Sequence, residues 1–445
     1  MNENVRETPH NNGAPEHTLR SRYAHIVAAS FLMVFFAAGA QYVFGVMFKP
    51  IIREFGWSRG AVSSIFLLNM VVFAIALTVV GRLYDRFGPK WIIIVSTLFL
   101  SAGFVLTSFA HSMGQLFFSY GLVAAMGLAG TGVPLVSTLV SKWFDTGRGL
   151  AISLAISGSS IGAFVLVPVL SLLSASYGWR TSCLYLGITV FVVNTLLALF
   201  VIKGDPHHLG MRPFRTSDIK KSGTAAAGQV RPLDRAPALG LGQAMATRSF
   251  WLFLVTMFIC GSGDYLSASH FINFATDQGA SQLTAGKMMG WYGLLSLAGI
   301  LVAGPAADRI GCKTPIVLTF LLRFVLYLFI LKYKSIPSMY VFALFFGFTH
   351  LITAPLTPML IGRLYGFAQI GLLTGVVNTV HFFGGGLFTY MTGLMFDRTG
   401  SYQVVFIVAA CMAATAALCS SLIAEQRHGG IEPWFSEDRI DGTRQ

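Results

Sequence analysis

The chain has 445 residues, of which 54% are hydrophobic and only 11% are charged. Soluble domains carry about 25% charged residues, so this composition excludes an ordinary soluble globule. The formal net charge of +13 reflects membrane topology and does not predict a nucleic-acid partner, because the basic residues lie between long apolar blocks. Crossing about 30 Å of hydrocarbon takes roughly 20 apolar residues, and the uncharged blocks reach that length. Barrel strands are shorter and alternate in polarity, so these blocks predict transmembrane helices.

In chain order, the uncharged blocks divide into six spans, a polar linker and six further spans. The predicted spans lie near 24–48, 60–80, 91–110, 115–140, 149–173, 180–202, 250–276, 286–307, 314–332, 337–362, 368–395 and 402–424. The predicted domains are a disordered tail at 1–22, a six-helix bundle at 23–202, a linker at 203–249, a second six-helix bundle at 250–424 and a tail at 425–445.

The positive charges predict the orientation of the chain. With the N-terminus inside, 22 of the 31 Lys and Arg residues fall in the tails and cytoplasmic segments, and 8 fall in external segments. Cytoplasmic segments of membrane proteins retain Lys and Arg, so both ends of the chain are expected to be cytoplasmic.

The two halves resemble each other in sequence. The segments 81–90 and 304–313 share a Gly-x-x-x-Asp-Arg-x-Gly-x-Lys pattern at an offset of 223 positions. The same offset aligns Tyr42 with Tyr265, and eight matches in all occur at offsets of 221–223 and at equivalent places in the topology. Parallel repeats of six spans are typical of transporters that hold substrate between two halves near the membrane midplane.

The loop at 81–90 reads Gly-x-Leu-x-Asp-Arg-x-Gly-x-Lys and resembles the signature of the major facilitator superfamily. Within it, the chain is similar to the prokaryotic branch of the monocarboxylate porters, whose relatives include oxalate/formate antiporters. The stretches that carry this similarity are 42–50, 54–59, 143–144, 148–150, 177–180 and 269–271. The resemblance implies an all-α transmembrane fold of twelve helices, in two six-helix bundles related by a pseudo-twofold axis, with spans 1, 4, 7 and 10 around a central cavity.

The resemblance also implies that the loops after spans 2 and 8 latch the cytoplasmic ends of the two halves together when the carrier faces outward. The gating residues so implied are Gly81, Arg82, Asp85, Arg86, Gly88, Lys90, Asp308 and Arg309. From the residues alone, a well-capped turn that only sets topology is the alternative, because glycine permits tight turns and Asp85 can cap the next helix.

An ionisable residue inside a span is costly and is therefore a functional hypothesis. Asp264 lies near the middle of span 7, and its repeat mate in span 1 is Gln41; the residues that follow them are Tyr265 and Tyr42. By resemblance, both pairs face the cavity where substrate binds. A carboxyl in a low-dielectric site tends to hold its proton, which suits a proton carrier. The alternative for Asp264 is a structural partner of Arg323 or of a backbone amide.

Further candidates for binding or coupling are one cation and three histidines. Arg323 is the one cation well inside a span and can anchor a carboxylate, with an ion pair between packed spans as the alternative. His270 follows Asp264 along one slanted ridge of span 7 and is expected toward the outer end of the cavity, where a protonated ring would attract an anion and a neutral ring would hydrogen-bond one. His350 in span 10, and His381 three residues after Asn378 in span 11, are similar candidates. An ordinary interhelical hydrogen bond is the alternative for each histidine.

No phosphate loop, nucleophile–base arrangement or metal-ligand cluster is recognisable in the sequence, so an enzyme, a metal site and a cofactor are not expected. Relatives of the oxalate/formate type are expected to carry cations in spans 8 and 11, whereas span 11 here holds His381. We therefore predict proton-linked symport of a small organic monocarboxylate by alternating access, performed by a monomer in a bacterial inner membrane. The alternatives are organic-anion antiport, export of a hydrophobic compound and a membrane sensor that does not transport.

Overall fold

The computed structural model describes residues 16–144, 148–202, 239–366 and 369–425. At 16–22, 85, 148–149 and 308 it describes the backbone and not the side chain. The first predicted tail up to residue 15, the predicted linker from 203 to 238 and the second tail from 426 lie outside the described residues. Twelve helices within the described ranges are long and apolar enough to cross a membrane, so the predicted number of spans is confirmed.

The twelve spans are numbered in chain order. They are Tyr23–Phe55, Arg59–Tyr84, Pro89–Ser108, Met113–Trp143, Leu150–Tyr177, Trp179–Phe200, Arg248–Asp277, Gln282–Ala307, Lys313–Lys332, Ile336–Tyr365, Ile370–Thr399 and Gln403–Ser421. Several helices continue past these bounds, since the first begins at Glu16, the second ends at Phe87, the fifth begins at Arg148 and the eighth ends at Ile310. These helices are longer than the predicted spans. The prediction ends at charged side chains, whereas the helical hydrogen bonds of the backbone continue beyond the hydrocarbon.

Spans 4 and 10 are interrupted. Span 4 consists of the helices Met113–Leu116, Ala125–Ala129 and Val133–Trp143, with a π-helical stretch at Phe117–Ala124. Span 10 is divided into Ile336–His350 and Thr353–Tyr365. Pro355 lacks the amide that would continue the helical ladder to Leu351, which favours the break. His350 therefore stands at the end of a helix inside the membrane.

The segment predicted as a linker is helical near its end. Leu241–Met245 forms a short helix, and the helix of span 7 already begins at Arg248. The amide of Leu239 donates to the carbonyl of Tyr365 at 3.0 Å, which ties this segment to span 10. A single turn held by caps and by one tertiary contact has no periodicity that the sequence could reveal.

The two halves pack along two lines, span 2 against span 11 and span 5 against span 8. They meet closely at the end of the molecule that holds the connection between spans 1 and 2, which we call the closed end. There, a Cβ atom on Gly45 would lie 2.5 Å from the backbone oxygen of Ala268. At the opposite end, a Cβ on Gly81 or Gly304 would meet nothing within 4 Å. We call this second end the open end.

The loops predicted to be gates lie at the open end and share one backbone geometry. Gly88 and Gly311 have positive φ angles of 78° and 82°. Each donates its amide to the carbonyl four residues before it, at Tyr84 and Ala307, over 2.9 and 3.1 Å. Glycine adopts this backbone without the strain that a side chain would add. The equal geometry of the two loops supports the internal repeat.

The described side chains of these loops do not test the prediction that the loops latch the two halves together. Among the predicted gating residues, the described side chains are exposed at Arg82, Arg86 and Arg309 and half-buried at Lys90. The side chains of Asp85 and Asp308 lie outside the described residues. The latching role therefore stays a prediction.

Glu425, just after span 12, connects the start of span 9 with span 10 at the open end of the second half. Its carboxylate accepts from the amides of Cys312 and Lys313 at 2.6 and 3.1 Å and from Arg363 Nη1 at 2.7 Å. Partial burial acts to raise the pKa of this carboxyl, but these three donors outweigh the burial and hold the pKa below its usual value. Glu425 therefore caps the helix of span 9 from another part of the chain.

Replacing Glu425 by Gln is expected to lower stability by about 1 kcal/mol at neutral pH, since a capping carboxylate is lost. A carboxyl with a depressed pKa stabilises the fold above its unfolded pKa, near 4.3, and this contribution is lost as the pH falls through the folded pKa. The difference between the variant and the wild type should therefore shrink below about pH 4. Thermal unfolding of both proteins across this pH range checks the expectation, and a constant difference would contradict it.

Candidate functional site

Asp264 lies at the centre of the candidate site. Span 7, which carries it, is the most deeply buried of the twelve spans. The side chain of Asp264 is 4% exposed, and its Oδ1 accepts a hydrogen bond from Nη2 of Arg323 in span 9 at 2.7 Å. A buried ion pair offsets its desolvation only when the geometry is good and the remaining polar atoms are satisfied. The acid near the middle of span 7 and the cation within span 9 thus form one pair.

The guanidinium of Arg323 is held from several sides. Its Nε donates to Thr349 Oγ1 and its Nη2 to the Thr349 carbonyl, both at 3.0 Å. Its Nη1 donates to the carbonyl of Cys260 at 3.4 Å. With Asp264, these partners occupy most of its five N–H donors. Arg323 is therefore a fixed cation, and a change in the charge of Asp264 directly alters the hydrogen bond that Nη2 donates.

Two histidines and a thiol surround the carboxylate of Asp264. His350 Nδ1 lies 3.2 Å from Oδ1, without the alignment of a good hydrogen bond. His381 Nε2 lies 3.8 Å from Oδ2, and Cys260 Sγ lies 3.5 Å from the same oxygen. The two histidine side chains are 10% and 14% exposed, more than Asp264 itself. They are therefore more accessible than the carboxylate that they flank.

The ligand atoms of Cys260, Asp264 and His381 lie within 4.8 Å of one another. Thiolate, carboxylate and imidazole are all ligands of transition metals. However, the cation of Arg323 already holds the carboxylate and also faces the thiol, with Nη1 3.8 Å from Sγ. A divalent ion would meet this fixed charge in a low-dielectric site, so the residues do not fit a metal.

Gln41 and Tyr42 in span 1 form hydrogen bonds with residues of the other half. Gln41 Nε2 donates to the hydroxyl of Tyr265 at 3.0 Å. The hydroxyl of Tyr42 lies 3.1 Å from His350 Nε2. Two neighbouring residues of the first half are thereby bonded to the residue after Asp264 and to a histidine beside it. The site joins the two halves as well as spans 7, 9, 10 and 11.

Seven of the nine predicted binding or coupling residues meet around Asp264: Gln41, Tyr42, Asp264, Tyr265, Arg323, His350 and His381. Asn378 is half-buried on span 11, three residues from His381 in the direction of the open end. His270 lies elsewhere, toward the closed end, where its ring nitrogens contact Tyr402, Thr389 and Ser63.

Tyr292, in span 8, belongs to the site although the sequence analysis did not select it. Its ring centroid lies 5.0 Å from that of His350, and its buried hydroxyl has no hydrogen-bond partner among the described residues. An unpaired buried hydroxyl is costly, so this group is available to a ligand. A lone tyrosine in an apolar span carries little signal in a sequence, which is why it was missed.

A second polar network lies at the closed end, and the sequence analysis missed it too. Asp277 accepts from Lys49 Nζ at 2.6 Å and from Arg59 Nη2 at 2.7 Å. Asp397 accepts from the amides of Arg59 and Gly60 at 2.9 and 2.7 Å. Lys49, Arg59 and Gly60 belong to the first half, and both carboxylates belong to the second. The network therefore joins the halves where they are in contact.

Span 7 passes very close to span 11 beside the site. A Cβ atom on Gly261 would lie 1.8 Å from the carbonyl oxygen of His381. Replacing Gly261 by Ala should push the two spans apart and destabilise the protein by about 1–3 kcal/mol, the usual range for an overpacked core. A matched control is Gly375→Ala in span 11, where the added methyl group meets nothing within 4 Å. Equal melting temperatures of the two variants would contradict the expected close contact.

Comparisons with known proteins agree with this architecture. A family model described as Major Facilitator Superfamily matches residues 30–290 and 253–435. The chain is 25% identical over 370 residues to the uncharacterized MFS-type transporter YcxA of Bacillus subtilis (strain 168), covering 82% of this chain and 85% of that protein. It is 25% identical over 387 residues to monocarboxylate transporter 13 of Rattus norvegicus, covering 86% and 85%. The structure of a D-xylose-proton symporter matches with a TM-score of 0.71 at 14% identity, over 90% of this chain and 98% of that one.

Proposed function

Since the chain belongs to the major facilitator superfamily, we propose that it is a proton-linked symporter of a small organic monocarboxylate that works by alternating access. The observation that carries the proposal is the buried pair of Asp264 and Arg323 in the second half, beside residues that are bonded to the first half. The twelve spans make the chain a multi-pass membrane protein. We place it in a bacterial inner membrane, and the distribution of positive charges supports an orientation with both ends in the cytoplasm.

Charge balance at the pair explains the coupling. While Asp264 is ionised, it neutralises Arg323 and leaves no net charge in the site. Once Asp264 takes a proton, Arg323 is a buried cation without a partner, a state that costs several kcal/mol. A monocarboxylate that accepts from Nη2 restores neutrality. The proton and the anion therefore bind favourably together and unfavourably alone, which is the requirement for symport.

The surrounding groups fit a ligand with one carboxylate. The buried hydroxyl of Tyr292 offers a hydrogen-bond donor near His350, and Tyr42 and Tyr265 supply further hydroxyls. Aromatic rings add apolar surface beside them, since Phe382 packs against Tyr265 at a centroid distance of 6.1 Å. A small organic acid with an apolar body therefore suits the site better than a dianion, which would leave a charge unpaired.

The contacts of Gln41 and Tyr42 suggest how the binding of substrate affects the contact between the two halves. Both hydrogen bonds across the molecule end on residues next to Asp264 in space, Tyr265 and His350. A ligand that takes Tyr42 or His350 as a partner must compete with this cross-half bond. Substrate and proton thereby act on the contacts that have to change when the cavity opens to the other side.

The test is uptake by the purified protein in proteoliposomes with an acid exterior. A panel of short and aromatic monocarboxylates should include at least one that accumulates, and a proton ionophore should abolish the accumulation. No acid-driven flux with any member of the panel would overturn the proposal. Uptake that requires a second anion inside the vesicles, whatever the pH gradient, would indicate organic-anion antiport instead.

A further inference from the structure

His270 occupies the junction between the two halves at the closed end. We propose that His270 is a second protonation site of the carrier, and that its neutral form holds the closed end shut. The side chain belongs to span 7 and is almost fully buried, at 1% exposed. It takes no part in the contacts around Asp264, so the inference does not depend on which solute is carried.

The partners of the ring fix the position of its proton. Nε2 lies 3.1 Å from the carbonyl oxygen of Thr389 in span 11. A carbonyl only accepts, so Nε2 must carry the hydrogen. In the neutral ring Nδ1 is then bare, and it accepts from the hydroxyl of Tyr402 at 3.1 Å. Ser63 Oγ, from span 2, lies 3.3 Å from Nε2 on the same side.

The hydroxyl of Tyr402 extends this chain of hydrogen bonds into the first half. Its oxygen accepts from Arg59 Nη1 at 2.7 Å while its hydrogen points to His270. The donors therefore run in one direction, from Arg59 through Tyr402 and His270 to Thr389. Arg59 also packs on the ring of Phe396, with its guanidinium carbon 3.6 Å from the centroid.

No carboxylate near His270 is left to receive a second positive charge among the described residues. Asp277 already binds both Lys49 and Arg59, and Asp397 already accepts from two backbone amides. The remaining neighbours are uncharged: the ring of Phe48 in span 1, 4.9 Å away between centroids, the hydroxyl of Ser63 in span 2 and the carbonyl of Thr389 in span 11. A protonated His270 would face the cation of Arg59 across a single hydroxyl.

Protonation therefore reverses one link of the chain. An Nδ1–H group cannot accept from Tyr402, so the tyrosine must turn its hydrogen away or leave. Two cations in a buried site also repel each other strongly. Both effects weaken the bond through which Arg59 holds Tyr402. The closed end should therefore open more readily when His270 is protonated. The predicted topology places this end outside, where the medium is the more acidic one during proton-driven uptake.

The test is a distance measurement between spin labels on the two halves at the closed end. Gly114→Cys and Gln403→Cys supply exposed label sites, and the accessible Cys411 and Cys419 are replaced by Ser. Lowering the pH should raise the population with a long distance, by about tenfold per pH unit where only the open form binds the proton. A wild-type distance distribution that does not change with pH overturns the proposal.

Two variants locate the proton. His270→Gln keeps a donor for Thr389 and an acceptor for Tyr402, so it should stay closed at every pH. Tyr402→Phe leaves the histidine in place and should open more at neutral pH with a weaker pH response, which tests the link if the first variant unfolds. Asp264→Asn should keep the pH response. A response that survives in His270→Gln and vanishes in Asp264→Asn would overturn the inference and leave the proposed symport intact.

Discussion

The variant Asp264→Asn is expected to bind and exchange substrate but to lose all pH-driven accumulation. An amide imitates the protonated carboxyl, so Arg323 stays without a charged partner at every pH and continues to attract the anion. In the wild type, the apparent affinity should rise about tenfold for each unit of falling pH while proton uptake is limiting. In the variant, the affinity should be high and independent of pH.

Two assays in proteoliposomes measure this difference. Counterflow reports exchange without net proton movement, and uptake under an imposed pH gradient reports coupling. Glu425→Gln is the matched control, since it makes a similar acid-to-amide change outside the site and should leave coupling unchanged. If Asp264→Asn still concentrates substrate with the pH gradient, Asp264 is not the proton carrier.

The variant Arg323→Gln should be destabilised by about 3–5 kcal/mol at alkaline pH. It leaves the carboxylate of Asp264 buried without its cation. The loss should be smaller at acid pH, because the carboxyl can neutralise itself by taking a proton. Removing both charges in the double variant Asp264→Asn/Arg323→Gln should restore most of the stability.

Thermal unfolding in detergent at pH 8 and pH 5 compares the four proteins of this cycle. The interaction free energy between the two sites follows from the difference between the double variant and the sum of the single ones. Additive effects would show that the two residues do not stabilise each other. A loss of stability in Arg323→Gln that does not change with pH would show that its packing matters more than its charge.

The spans were predictable because hydrocarbon excludes charge so strongly that uncharged blocks mark them without any tertiary information. The Asp264–Arg323 pair was foreseen as one alternative for the same reason, since two opposite charges within spans have few other partners. The interruption of span 10 at His350 was harder to foresee. Proline both bends and breaks helices, and packing against neighbouring spans decides which occurs.

The network at the closed end could not be read from the sequence. Arg59, Asp277 and Asp397 lie at span ends, where charged residues normally meet water or lipid headgroups. Their contacts join residues more than 200 positions apart, and only the packing of the two halves brings them together. His270 was expected at the cavity because it lies on the same helix as Asp264. Its ring instead reaches spans 2 and 11 at the closed end.

The contact of Asp397 with the start of span 2 has a consequence for how the molecule cycles. The first amides of a helix lack partners within it. Here the hydroxyl of Ser58 accepts from the amide of Ala61. The amides of Arg59 and Gly60 donate instead to Asp397, which belongs to the other half of the protein. In the proposed alternating-access cycle the halves separate at this end, so this helix loses part of its cap and its first turn must fray or bind water. These two cap hydrogen bonds would then form and break once in each cycle. The hydrogen-exchange rate of the amides of Arg59 and Gly60 would report which way the carrier faces.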